Sequence, residues 1–360
     1  MGKERVENKQ IGGEATKDVF NQKEEKVINE NNKFNLEKGD IIRVEEIPEK
    51  GVGCVAVVDL VPGTLVLREE PALYVTPDMD GHAETINAFA ELNSEEQGKV
   101  LQLYNAYSME ESLWTETMRK ELDICVVDAG DISYTGVPKQ TALKVWQIWL
   151  TNAYDQGIFL LLSRFNHSCQ PNTEYFWNTD LEVWALDVRT VRQVRAGEEL
   201  TVCYRSFWPN STMERQSMLR GSYSFDCYCE GCDISEDERR KEVEDCKQFK
   251  ECNELMLRSK KCGNLECCLK NIKEMLRLSK QMKTISLKNV LSMIIEEGFE
   301  VASEIFLGAG HTKESLHDVE LFASLGLDLS TLLHGENHSV TQEWTLRTKQ
   351  TIKYCIDHPK

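Results

Sequence analysis

Long apolar runs are missing from this chain of 360 residues. No stretch of it is apolar enough, for long enough, to span a bilayer, and the opening MGKERVENKQ is charged where a secretory segment would be apolar. Val6 stands where a myristoylation signal would carry Ser or Thr. Positive charge is also in deficit: 42 Lys and Arg face 60 Asp and Glu, for a net charge of −18. A groove that tracks phosphates needs a basic face able to overcome such a background, so direct nucleic-acid binding is not expected, nor is a membrane partner. A basic, lysine-containing peptide suits the charge better. The expectation is an intracellular monomer, in the cytoplasm or the nucleus. There thiols are kept reduced, so the 13 cysteines do not form a disulfide framework, and some read as metal ligands.

What is present is 41% hydrophobic residues, enough for two or three packed units. Residues 1–36 mix Lys, Glu and Asn without any apolar period and read as a disordered tail. Residues 40–76 are β-rich, because IIRVEEI and VGCVAVVDL are β-branched runs and VPGTLVLREEPALYV sets a Pro-Gly turn between two strands. Residues 77–145 carry apolar residues at spacings of three and four and predict a helical insertion. The segment TALKVWQIWLTNAY predicts a helix feeding residues 146–222, where EYFWN, LEVWALDV and EELTVCY read as strands. After a cysteine-bearing segment at 223–233, residues 234–360 predict five amphipathic helices, roughly 236–258, 262–282, 286–308, 312–334 and 338–356. Stacked helix pairs are the economical packing for such a series. The fold class is α+β, a β-rich unit followed by an all-α one.

The chemistry concentrates in three short segments. Cys227, Cys229 and Cys232 have C-x-C-x-x-C spacing, which lets three thiolates from one loop converge on zinc. A fourth ligand must come from elsewhere, and Cys169, on the NHSCQPN turn between His167 and Pro171, is the candidate. The alternative is three thiols in a turn with no metal. Asn166 and His167 alone are compatible with a turn, and ELTVCY alone with a half-buried strand ending at Tyr204. Their order and spacing relative to the cysteines is what singles them out. Cys246, Cys252, Cys262, Cys267 and Cys268 match no zinc pattern and read as helix-core thiols. Trp146, Trp149, Trp177, Trp184 and Trp208 read as core anchors rather than a cage for methylated lysine.

In these segments the chain resembles the SET-domain lysine methyltransferases, most nearly the SET and MYND domain branch. The matching blocks are KGVGCVAVVDLVPGTLVLREEPA (50–72), LTNAYDQGIFLLLSRFNHSCQPN (150–172), VRAGEELTVCY (194–204) and YSFDCYCEGC (223–232), about a fifth of the chain in family order. The resemblance implies a SET fold, small curved sheets in which the NHSC and ELTVCY segments meet in a knot-like crossing. It also implies an S-adenosylmethionine site. Lys50, Gly51, Val52 and Gly53 would cradle the methionine part, Asn152, Asn166 and His167 would contact the same cofactor, and Tyr223 and Phe225 would wall the cofactor pocket and lysine channel. Tyr204 matches the catalytic tyrosine, and Cys169, Cys227, Cys229 and Cys232 match a post-SET zinc site. Val202 stands where some SET enzymes have a crowding Tyr, which suggests room for more than one methyl group.

Residues 76–145 hold only Cys125 and His82 of the types that build a MYND zinc module, so that module is expected to be absent and the helical insertion to replace it. The helical C-terminal region fits the branch's tetratricopeptide-like domain. The function implied is transfer of methyl groups to lysine side chains of histone or non-histone proteins. A catalytically silent scaffold that binds peptides, and a helical-repeat adaptor with a vestigial β domain, stand as alternatives.

Overall fold

The computed structural model describes residues 41–76, 81–109, 136–205, 209–282, 284, 286–308 and 312–357. The expected tail at 1–36, Cys125 and Trp208 lie outside the described residues, as do residues 77–80 and 110–135 of the expected insertion.

Among the described residues, ten short strands form three small sheets. The first orders β1 (Ile42–Ile47), β2 (Gly51–Ala56), β10 (Glu199–Val202) and β7 (Asn166–His167). The second orders β3 (Leu65–Glu69), β9 (Leu186–Thr190) and β8 (Thr173–Trp177), and the third orders β4 (Leu73–Tyr74), β6 (Gly157–Ile158) and β5 (Ala153–Tyr154). Strand β2 alternates poorly because Cys54, Val55 and Ala56 are all buried, as suits a strand covered on both faces. Their shared core includes Leu60, Leu67, Phe159, Phe165, Leu186, Val188, Leu200 and Val202.

Helices α1 (His82–Glu91), α2 (Ser94–Val100), α3 (Ala106–Met109) and α4 (Lys139–Asn152) pack beside the third sheet through Phe89, Val100, Trp146, Ile148 and Trp149. Helix α5 (Thr212–Tyr223) was not foreseen in the sequence. Its start is a capping box, with Ser211 accepting from the Glu214 amide and Glu214 accepting from the Ser211 amide, and left-handed Ser224 ends it. Helix α6 (Glu236–Lys261) opens with the same device at Ser235 and Glu238. Then follow α7 (Leu265–Ser279), a π-helical turn (Leu287–Leu291), α8 (Ser292–Gly308), α9 (Lys313–His334) and α10 (Ser339–Asp357). Their own core gathers Phe249, Met256, Ile272, Met275, Ile294, Val301 and Phe322. Gly298 lets the Phe322 ring lie against the α8 backbone, where a Cβ would sit 2.2 Å from it. No described helix is long and apolar enough to cross a membrane.

Candidate active site

Strands β7 and β10 run side by side in parallel, pairing Asn166 with Thr201 and His167 with Val202, while β2 flanks β10 on the other edge. Two segments over thirty positions apart are thereby stitched together where the β1–β2 turn arrives. That turn carries Glu49 and Gly51 in left-handed backbone (φ 64° and 74°), and Lys50 between them. Lys50 Nζ donates to Glu199 Oε2 at 2.5 Å, and Asn166 Nδ2 donates to Glu199 Oε1 at 2.9 Å and to the Val52 carbonyl at 3.3 Å. Gly53 must be glycine here, since a Cβ would meet Ile47 Cγ1 at 2.5 Å and Asn166 Nδ2 at 2.8 Å.

Tyr204 follows β10. Its amide donates to His167 Nδ1 at 3.1 Å, and its phenol donates to the Phe165 carbonyl at 3.0 Å. Burial, followed by the neighbouring Tyr223 phenol, pushes the Tyr204 pKa above the ordinary phenol value. The proton therefore stays on the oxygen at neutral pH. Around it stand Tyr223 and Phe225, with ring centroids 5.1 and 6.4 Å from Tyr204. Tyr154, also raised by burial and then by Tyr204, packs edge-on to Tyr175 at 4.9 Å. The result is a wall of aromatic rings in which an ammonium would be desolvated and its neutral form favoured.

Behind this wall the sulfurs of Cys169, Cys227, Cys229 and Cys232 lie within 4.8 Å of one another. Four thiolates at the vertices of a tetrahedron around zinc, with Zn–S near 2.3 Å, would be ~3.8 Å apart. The Cys169 sulfur is 3.9 Å from Cys227 and 3.5 Å from Cys232, so the donor set fits the ion. Mutual S–H···S bonds lower the Cys227 thiol through Cys169 and raise Cys169 through Cys227, as expected of four thiols that cannot all ionise without a cation between them. His167 joins the two halves of the site. Its Nδ1 accepts from Tyr204, so the neutral ring carries its proton on Nε2, 3.2 Å from the Cys169 sulfur.

Residues 51–205 match the SET domain family. The chain carries a SET domain. A histone-lysine N-methyltransferase, set5, of Schizosaccharomyces pombe is 31% identical over 208 residues, 58% of this chain and 55% of that protein. SET5 of Meyerozyma guilliermondii is 34% identical over 135 residues, 37% of this chain and 26% of that protein. The histone-lysine N-methyltransferase SMYD3 of Mus musculus is 41% identical over 76 residues, 21% of this chain and 17% of that protein. The chain thus spans about half the length of the first relative and less of the others.

Lys50, Gly51, Val52, Gly53, Asn166, His167 and Tyr204 come together at the strand crossing, and Tyr223 and Phe225 reach it from the end of α5 and the segment after it. Asn152 is bonded differently: at the end of α4 its amide donates to the Tyr104 and Ile148 carbonyls, tying the insertion to that helix. Sequence reasoning missed Glu199, the second acid of GEELTVCY, and the insertion's Tyr104 and Tyr107; Tyr104 is near enough to Tyr204 to add to its upward shift, and Tyr107 is raised by burial and then by Tyr223. It also missed Arg215, fully buried on α5, which donates to the Gly231 carbonyl at 2.8 Å and to Glu242 at 2.8 Å. Only the capping box hinted at that helix. Trp146 and Trp149 are buried as expected, whereas Trp184 is 59% exposed, stacked on Tyr74 at 5.7 Å. It precedes β9, which begins at Leu186 and not at the start of LEVWALDV.

Proposed function

We propose that this chain is an S-adenosylmethionine-dependent protein-lysine N-methyltransferase of histone or non-histone substrates. The observation that carries it is the crossing of β7 with β10, which gathers the Tyr204 phenol, the aromatic wall, Lys50 and Asn166 at one edge. The residues fit the cofactor: Asn166 Oδ1 accepts no hydrogen bond among the described residues and is left to take a donor. Bound S-adenosylmethionine would supply a sulfonium methyl for in-line displacement by the lysine amine. The chain's own work is alignment. Lys50 and Asn166 would hold the amino-acid end, with Gly51, Val52 and His167 beside them and Asn152 at the α4 end. Tyr154, Tyr204, Tyr223 and Phe225 would desolvate the lysine so that it loses its proton to water, and the protonated Tyr204 would orient the amine through its oxygen lone pairs. Cys169, Cys227, Cys229 and Cys232 would hold zinc as a post-SET site. The helical half, as a tetratricopeptide-like domain, would wall the substrate cleft. Val202 brings no hydroxyl to the pocket, so products beyond monomethyl-lysine are expected. The setting proposed is the cytoplasm or nucleus, with the chain acting as a monomer.

The test is thermal unfolding with saturating S-adenosylmethionine, followed by incubation with labelled cofactor and a cell lysate, with mass spectrometry of the labelled lysines. A rise in Tm of about 5 °C and label on lysine are expected. No rise and no label would sink the proposal.

A further inference from the structure

Glu199 bonds both Lys50 and Asn166, the two groups that would hold the amino-acid end of the cofactor, and its bonding fixes what each of them offers. Its Oε2 takes the Lys50 ammonium at 2.5 Å and its Oε1 takes the Asn166 amide at 2.9 Å. The partners of Asn166 Nδ2 are a carboxylate and the Val52 carbonyl, both pure acceptors. Only the NH2 side of the amide can face them, so Oδ1 is turned outward as an acceptor, and it takes no bond among the described residues. The Lys50 side chain is half exposed, and without the carboxylate it would be an unrestrained surface lysine.

We propose that Glu199 is a positioning residue for cofactor binding, orienting Asn166 to accept from an α-ammonium and Lys50 to face an α-carboxylate. The two poles of a zwitterion are read by two groups, one on the β1–β2 turn and one on β7, and one carboxylate sets both. This rests on the cofactor reading given above. A merely structural Glu199, tying β10 to the β1–β2 turn, would matter equally for any ligand of the pocket. A positioning Glu199 matters only for ligands that carry the zwitterion.

S-adenosylhomocysteine and 5′-methylthioadenosine separate these roles. Both are adenosine thioethers, and only the first has the amino-acid end. Binding of each to the full chain is measured by calorimetry for the native protein, Glu199→Ala and the near-isosteric Glu199→Gln. The native chain is expected to bind S-adenosylhomocysteine more tightly. Glu199→Ala should weaken that ligand by about tenfold or more, the size of a lost charged hydrogen bond, and leave methylthioadenosine within about twofold. Glu199→Gln, which retains an acceptor for Asn166 but no charge for Lys50, should fall between, and it decides the matter alone if the alanine variant does not fold. Lys50→Ala should show the same selectivity, and its combination with Glu199→Ala should cost less than the sum of the two. Equal weakening of both ligands, or no change in either, overturns the positioning role and leaves the methyltransferase reading standing. If the native chain binds neither ligand, the cofactor reading fails first and this inference with it.

Discussion

Tyr204 has one proton to give, and the Phe165 carbonyl takes it. The oxygen's lone pairs are then left for an incoming amine, while the backbone amide of the same residue is held by His167. Phenylalanine at this position would keep the ring contacts with Tyr223 and Phe225 and remove only the directed oxygen. Tyr204→Phe should lower turnover by about 10²–10³-fold, the range seen when one positioned polar group is removed, with S-adenosylhomocysteine binding and Tm little changed. Initial rates beside calorimetry check this, and activity within about threefold of native would reject it. Tyr204, Asn166, His167 and the cysteine quartet were singled out in the sequence by the order and spacing of their short motifs, and the fold brings them near one another. Glu199 lies in such a motif too, but its partner Lys50 is 149 positions away, and only the fold shows that the two touch.

At the level of elements, amphipathic helices with a strong apolar period were readable from the chain, and the five after residue 234 fall within a few positions of expectation. Helix α5 was not, since Thr212, Arg215 and Leu219 are its only buried residues and one of them is an arginine. The π-helical turn was equally hidden, because what fixes it is tertiary. Glu174 on β8 is buried, accepts the Leu287 amide at the mouth of that turn, and lies near Lys288, whose ammonium sits 4.1 Å over the Tyr175 ring. Burial outweighs these contacts and pushes the Glu174 carboxyl up to about 7, against an ordinary value of 4.5. Between those values the folded chain keeps a proton that the unfolded chain has released, so Glu174 contributes a loss of stability that grows as pH rises through the window and is complete above about 7. Glutamine can still accept from Leu287 and carries no charge. The stability of Glu174→Gln relative to the native chain should therefore increase from pH 4.5 to pH 8 by about 3 kcal/mol, as an upper order of magnitude. Glu69, also raised to about 7 by burial, is common to both proteins and cancels in the difference. Urea unfolding at a series of pH values measures it, and a difference that stays flat with pH would refute the assignment.

Over the whole molecule, the β-rich and helical halves meet at several places among the described residues, the Glu174–Leu287 bond and the Phe176 ring against His334 included. Lys288 reaches Asp155 at 4.0 Å, and Asp180 accepts the Ser339 amide at the start of α10 at 2.6 Å with His338 beside it. A further join is the cysteine quartet, in which Cys169 comes from the SET core and the other three from the segment leading into α6. Arg215 braces that segment from α5 through the Gly231 carbonyl, Tyr223 ends the helix, and Phe225 lies between it and Cys227. A metal in the quartet would therefore hold the aromatic wall in place as well as the junction. Its free energy of binding would be folding free energy, because the four sulfurs converge only in the folded chain. The purified protein is expected to contain about one zinc per chain. Stripping it with a strong chelator, or replacing Cys232 with Ser, should lower Tm by about 10 °C or more and abolish S-adenosylhomocysteine binding in the same titration. Re-addition of zinc should restore both in the stripped native protein and neither in the variant. A metal-free chain with unchanged Tm and intact nucleoside binding would show that the four thiols hold the junction by packing alone.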